Sequence, residues 1–201
     1  MKAIIIGGQG TIGSLVVKHL QSRQIEVITA GRSRDEYCVD ITDEQSLESL
    51  FNKIGKFDAV ISAAGSIEFG PTSSLTKEQW DLSLKSKFMG QINIAQKALP
   101  YLNDGGSITL VSGILSDYHV AGGTIATTIN RAIEGYVMAA ANELPRKIRI
   151  NAVSPSMLKE SVPVFGSFFP GVKPVEGNDV ALAFIRSILG IQTGQVFKVY
   201  S

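Results

Sequence analysis

The sequence predicts a single α/β domain built on a doubly wound, mostly parallel seven-stranded sheet with helices on both faces. Three observations carry this. Short β-branched or aromatic runs alternate with longer helix-patterned segments along the whole chain. Those runs are continuously apolar, as strands buried on both sides of a sheet must be. A glycine-rich string follows the first run directly and opens the first helix-patterned segment.

In order, strands are expected at residues 4–6, 25–29, 37–39, 59–62, 108–111, 148–153 and 196–199. Met1 and Lys2 precede an apolar run that stops at Gly7, too early for a secretory signal, so it reads as the first strand. Thr42-Asp43-Glu44-Gln45 and Thr76-Lys77-Glu78-Gln79 each have the hydroxyl-x-x-Gln spacing of a capping box, which satisfies free amides at a helix start. The second box opens a helix with Trp80, Leu84, Phe88 and Ile92 at fourfold spacing and Pro100 near its end. A further helix is expected over 124–144. Residues 155–177, rich in Pro, Ser, Phe and Gly, are too irregular for a regular element and read as a lid or binding loop.

Composition bounds the function. The 201 residues suit one well-cored domain, 1–201, with no repeat or linker. Nineteen basic against eighteen acidic side chains leave a net charge of +1, without the electrostatic footprint of a nucleic-acid or anionic-membrane binder. The apolar stretches are too short to span a membrane, and a cytoplasmic location is expected. Cys38, the single cysteine, can form no internal disulfide or metal cluster, and is expected in a buried strand. No metal site is expected.

Gly7-Gly8-Gln9-Gly10-Thr11-Ile12-Gly13 stands between strand and helix, where glycines permit a tight turn, close approach of backbone to a pyrophosphate, and close helix–strand packing. Free amides and the positive dipole at the helix start, Thr11 and Ile12 included, then face the phosphates. This is the Rossmann-type dinucleotide arrangement. An acid at the end of the second strand favours NAD; here Arg32 and Ser33 stand there instead, suited to a 2′-phosphate. NADP is expected over NAD.

Further blocks follow in order: Val39-Asp40-Ile41-Thr42-Asp43, Ile61-Ser62-Ala63-Ala64-Gly65, Trp80-Asp81, Gly106-Ser107-Ile108 leading to Val111-Ser112, Arg149-Ile150-Asn151-Ala152-Val153-Ser154-Pro155, and Thr193-Gly194-Gln195-Val196. With the glycine turn, they resemble the short-chain dehydrogenase/reductase family over essentially the whole chain. The resemblance implies that Asp40 and Ile41 contact the adenine, that Ala63, Ala64 and Gly65 line the ribose, and that Pro155 begins the loop over the nicotinamide. It also implies a homodimer or homotetramer paired through the long helices near 76–102 and 124–144. Two features depart from the family pattern: the spacing of Gly7, Gly10 and Gly13, and Ser156 where a glycine usually follows the proline.

The family's chemistry rests on a tyrosine with a lysine four residues later, a serine and an asparagine. The residues four places after Tyr37, Tyr101, Tyr118 and Tyr136 are Ile41, Gly105, Gly122 and Ala140, and Tyr200 stands next to the last residue, so the Tyr-x-x-x-Lys motif is absent. By the resemblance, Ala126 takes the tyrosine position, Asn130 the lysine, Gly113 the serine and Lys87 the asparagine. Ser112 is a stand-in for the serine, and Tyr118 and His119 are candidates for passing a proton near the substrate pocket. The expectation is an NADP(H)-binding protein of oxidoreductase type with nonstandard or weak catalysis on a small-molecule substrate. The alternative is a non-catalytic NADP(H)-binding sensor or regulatory protein, without a substrate.

Overall fold

The computed structural model describes residues 1–200. Its strands are β1 (Lys2–Ile6), β2 (Glu26–Gly31), β3 (Tyr37–Cys38), β4 (Phe57–Ser62), β5 (Leu102–Val111), β6 (Arg149–Pro155) and β7 (Val196–Val199). They form one sheet in the order β3-β2-β1-β4-β5-β6-β7, parallel at every pairing. The helices are α1 (Thr11–Gln21), α2 (Glu44–Ile54), α3 (Lys77–Ser83), α4 (Gly90–Ala98), α5 (Thr124–Ala140), α6 (Val162–Phe165) and α7 (Gly177–Leu189). None is long and apolar enough to cross a membrane.

Successive side chains of β1 feed opposite cores, as the pleat dictates. Ile4 and Ile6 join Leu47, Leu50 and Phe51 of α2, Ile94 and Ala98 of α4, and Ile125, Ile129, Ile133 and Val137 of α5. Ala3 and Ile5 join Val16 and Leu20 of α1 and Val180, Phe184 and Ile188 of α7 on the other face. β1 lies between β2 and β4, with Ile6 paired to Ala30 on one side and Ser62 on the other. The chain direction of the crossovers reverses there, leaving a crevice at the carboxyl ends of the strands, where open α/β sheets bind ligands.

Several expectations are corrected. Cys38 is exposed, because β3 is a two-residue edge strand and its thiol donates to the Arg32 carbonyl oxygen at 3.4 Å. The start of α2 is capped by Asp43, whose carboxylate accepts from Gln45 N at 2.9 Å, while the Thr42 hydroxyl donates to Asp40; only Thr76 closes a full capping box. The helix expected over 76–102 is not uniform: residues Leu84–Met89 form a π-helical turn between α3 and α4. α5 ends at Ala140. The irregular stretch after β6 contains α6, flanked by short 3-10 turns at Lys159–Ser161 and Gly166–Phe168, and is tied back by a bridge between Leu158 and Val175.

Candidate functional site

Five strand ends deliver the residues of interest to one edge of the sheet: Gly7 after β1, Arg32 after β2, Ala63 after β4, Ser112 after β5 and Ser156 after β6. Two cavities open there and share Gly65.

The first, about 300 Å³, is bordered by Gly7, Gly10, Arg32, Ser33, Asp40, Ile41, Ala63, Ala64 and Gly65, all singled out from the sequence. Arg34 and Asp35 border it too; they lie in an aperiodic stretch between β2 and β3 that carries no sequence signal. Thr11, Ile12 and Gly13 do not border it. Gly13 is buried against the turn, and a Cβ there would lie 2.0 Å from the Gly7 carbonyl oxygen, so only glycine lets α1 approach this closely. The Asp35 carboxylate accepts from Gln9 N at 3.2 Å and leans over Gly31. Asp40 accepts from the backbone N–H and the hydroxyl of Thr42, both at 2.8 Å. Those bonds hold its carboxyl below the usual range, against a small desolvation effect, with Lys85 and Arg32 adding attraction.

The second cavity, about 230 Å³, is walled mainly by Ile67, Phe69, Ile114, Leu115, Met157, Leu158, Phe165 and Phe169. Its polar lining comes from Lys87, Ser112, Asn130, Ser156 and Ser161, with Pro155 alongside. Helix α5 reaches it for a reason legible in its spacing. Ile125, Ile129, Ile133 and Val137 form one apolar stripe locked into the core. The adjacent stripe, Ala126, Asn130 and Glu134, is thereby buried at the pocket side. Gly113 after β5, Ala126 and Asn130 one turn apart on α5, and Lys87 all line this one cavity.

Lys87 comes from the π-helical turn. Its backbone runs so close to Gly65 (φ +122°) that a Cβ on Gly65 would lie 2.9 Å from the Lys87 Cα. The Lys87 ammonium donates to the Ser112 carbonyl oxygen at 3.3 Å, and burial pushes its pKa down to about 8. Ser112 lines the pocket, but its hydroxyl donates to the buried Glu134 carboxylate at 3.0 Å, which Arg131 also contacts at 3.4 Å. Tyr118 does not line this pocket. It is 43% exposed and borders a neighbouring cavity with Asp117 and Tyr200, and His119 is exposed. Position in the loop after β5 suggested both residues; the loop turns their side chains outward. Ser156, noted only as a departure from a glycine, proves to be a buried wall of the pocket.

The family model described as enoyl-(acyl carrier protein) reductase matches residues 12–181. The 3-oxoacyl-[acyl-carrier-protein] reductase FabG of Thermotoga maritima is 27% identical over 132 residues, covering 62% of this chain and 54% of that protein. The chain thus spans about half the length of that relative. Among solved structures, the protein lin1944 from Listeria innocua is 42% identical with a TM-score of 0.97, each chain covered in full. A small-chain dehydrogenase in complex with NADPH is 33% identical with a TM-score of 0.89, covering 100% of this chain and 96% of that one. A family match across most of the sequence and full-length likeness in both sequence and fold lead to one conclusion: the chain belongs to the short-chain dehydrogenase/reductase family.

Proposed function

We propose that the protein is an NADP(H)-dependent oxidoreductase acting on a small carbonyl compound or alcohol, with acid–base chemistry that does not run through a tyrosine on α5. The observation that carries this reading is the junction of two unlike cavities at Gly65: a polar one with two arginines, and an apolar one with a lysine at its wall.

The residues fit the dinucleotide. A side chain at Gly13 would collide with the backbone of Gly7 and push α1 off the glycine turn, and Arg32, Ser33 and Arg34 gather where a 2′-phosphate needs cations. Asp40 and Ile41 border the adenine end, Ala63, Ala64 and Gly65 the ribose, and Pro155 the nicotinamide end. The NADPH-bound small-chain dehydrogenase supports the same choice of cofactor. When bound, a nicotinamide supplies or accepts the hydride. The protein's own part is to orient the substrate, exclude water behind the α6 segment, and hold a proton near the reacting oxygen.

Loss of the usual acid–base pair costs about 10²–10⁴ in rate, so weak turnover of ordinary ketones is expected. Ala126 and Asn130 in the pocket also favour a second reading, a non-catalytic NADP(H) sensor. Following NADPH oxidation against a panel of apolar aldehydes and ketones separates the two. Substrate-dependent turnover supports the enzyme; binding without turnover of any compound supports the sensor. Self-association belongs to the same proposal, since Leu82, Leu84, Met89 and Met138 are exposed on the helices expected to pair. Light scattering tests it: a dimer or tetramer is expected, and a monomer contradicts it.

A further inference from the structure

We propose that Lys87 and Ser156, both lining the apolar pocket, form a donor site for a substrate oxygen at its wall, selecting an apolar carbonyl compound whose oxygen takes its proton from Lys87. The inference deepens the oxidoreductase reading and rests on it for the reaction, though not for the binding it predicts.

Geometry supports it first. The π-helical turn at Leu84–Met89 sets Lys87 against Gly65, the residue shared by the two cavities. Such turns widen a helix by one residue and commonly mark functional positions. The ammonium has three donors. One goes to the Ser112 carbonyl oxygen, and among the described residues Lys87 makes no ion pair.

The neighbouring polar atoms are equally unspent. Asn130 and Ser156 are 4% and 3% exposed and line the same pocket, and among the described residues Asn130 Oδ1 and Ser156 Oγ have no hydrogen-bond partner. The Ser156 hydroxyl can donate to a ligand oxygen, while Asn130 Oδ1 can only accept, as from the hydroxyl of an alcohol product. Buried polar atoms are rarely left so, and a group of them in one cavity points to a polar ligand atom. Among the described residues no carboxylate borders the pocket; its remaining walls, Ile67, Phe69, Leu115, Met157 and Phe169 among them, suit an apolar body. The ligand is therefore apolar with a single oxygen at one end.

Charges on the surrounding elements leave the lysine as the acting group. On its own turn, Lys85 is exposed and acts on Asp40. On α5, Glu134 is engaged by Ser112 and Arg131, and Arg131 also pairs with Asp117. On the segment after β6, Lys159 pairs with Glu176 outside the pocket. Burial alone brings Lys87 to about 8, close to neutral, where an acid both holds and yields a proton. In the reducing direction the carbonyl carbon gains a hydride from the reduced nicotinamide, and the oxygen gains a proton from the ammonium. The resulting amine recovers a proton from water, so the balance closes.

The test uses benzoate, an apolar anion that mimics the developing oxyanion, titrated calorimetrically into nucleotide-free protein. Wild type is expected to bind it, with affinity falling as pH rises through about 8 and the ammonium loses its charge. Lys87→Met is expected to weaken benzoate about tenfold or more, while NADPH affinity stays within about threefold. The pH profile of the wild type needs no variant and guards against misfolding. Absent benzoate binding, a flat pH profile, or unchanged affinity in Lys87→Met each overturn the proposal. A protein that binds benzoate as expected but not NADPH sinks the dinucleotide reading and leaves the oxygen site standing.

Discussion

Asn130 reaches across the pocket to Gly113, its Nδ2 donating to the Gly113 carbonyl oxygen at 3.3 Å. A Cβ on Gly113 would stand 3.0 Å from that same nitrogen. An amide at 130 and a side chain at 113 thus compete for one space.

Restoring the family's usual pair is the first consequence. Ala126→Tyr with Asn130→Lys brings a second ammonium into the pocket that already holds Lys87, and like charges depress each other's protonation. Adding Lys87→Asn removes that conflict. The triple variant is expected to exceed both wild type and the double variant in kcat/KM for an apolar ketone, by about tenfold or more. Steady-state kinetics on the three proteins checks the order; equal rates contradict it.

In the proposed function, Arg32 and Arg34, which border the first cavity, set the choice of dinucleotide. Replacing either with alanine removes a charge-assisted contact to the 2′-phosphate, worth about 1.5–3 kcal/mol, or roughly ten- to a hundredfold in NADPH affinity. NADH affinity should barely change. Equal losses for both dinucleotides would show that these arginines support the loop instead.

Ser112 is predicted to matter more for stability than for turnover, because its hydroxyl is committed to Glu134. Ser112→Ala leaves a buried carboxylate short of one donor, and about 1–3 kcal/mol of stability should be lost. Urea unfolding measures that cost. A large fall in kcat with unchanged stability would return Ser112 to the substrate's side of the pocket.

Lys87 carries a pH signature. Its folded pKa of about 8 lies below the ordinary 10.5, so the unfolded chain binds more protons between those values. Stability therefore rises with pH through that window, and the penalty for burying the charge is fully present below about 8. Lys87→Met should stabilise the protein by about 1–3 kcal/mol at neutral pH, and the gain should shrink toward pH 10. A gain that is absent, or constant with pH, contradicts a lysine whose charge is desolvated in the folded chain.

The strands and the glycine turn were legible because both-face burial writes continuous apolar runs, and because the turn's glycines answer a steric demand at Gly13. Helix α5 lies within the helix expected over 124–144, but Ala126 and Asn130 were singled out by the family resemblance alone, and their burial emerges only once the Ile125, Ile129, Ile133 and Val137 stripe is packed. The π-helical turn was not: Trp80, Leu84, Phe88 and Ile92 read as one uninterrupted face, yet Leu84 is exposed. Cys38 was expected to be buried because free cysteines in strands usually are, whereas an edge strand has only one partner to cover it. Arg34, Asp35 and the orphan hydroxyl of Ser156 left no periodic trace, since loop geometry alone aims them at the cavities.

The most direct measurement is calorimetric titration of nucleotide-free protein with NADPH and then NADH. The account predicts saturable NADPH binding, with NADH weaker by about tenfold or more for want of the 2′-phosphate contacts. Binding of neither dinucleotide would contradict it, leaving the glycine turn as architecture alone.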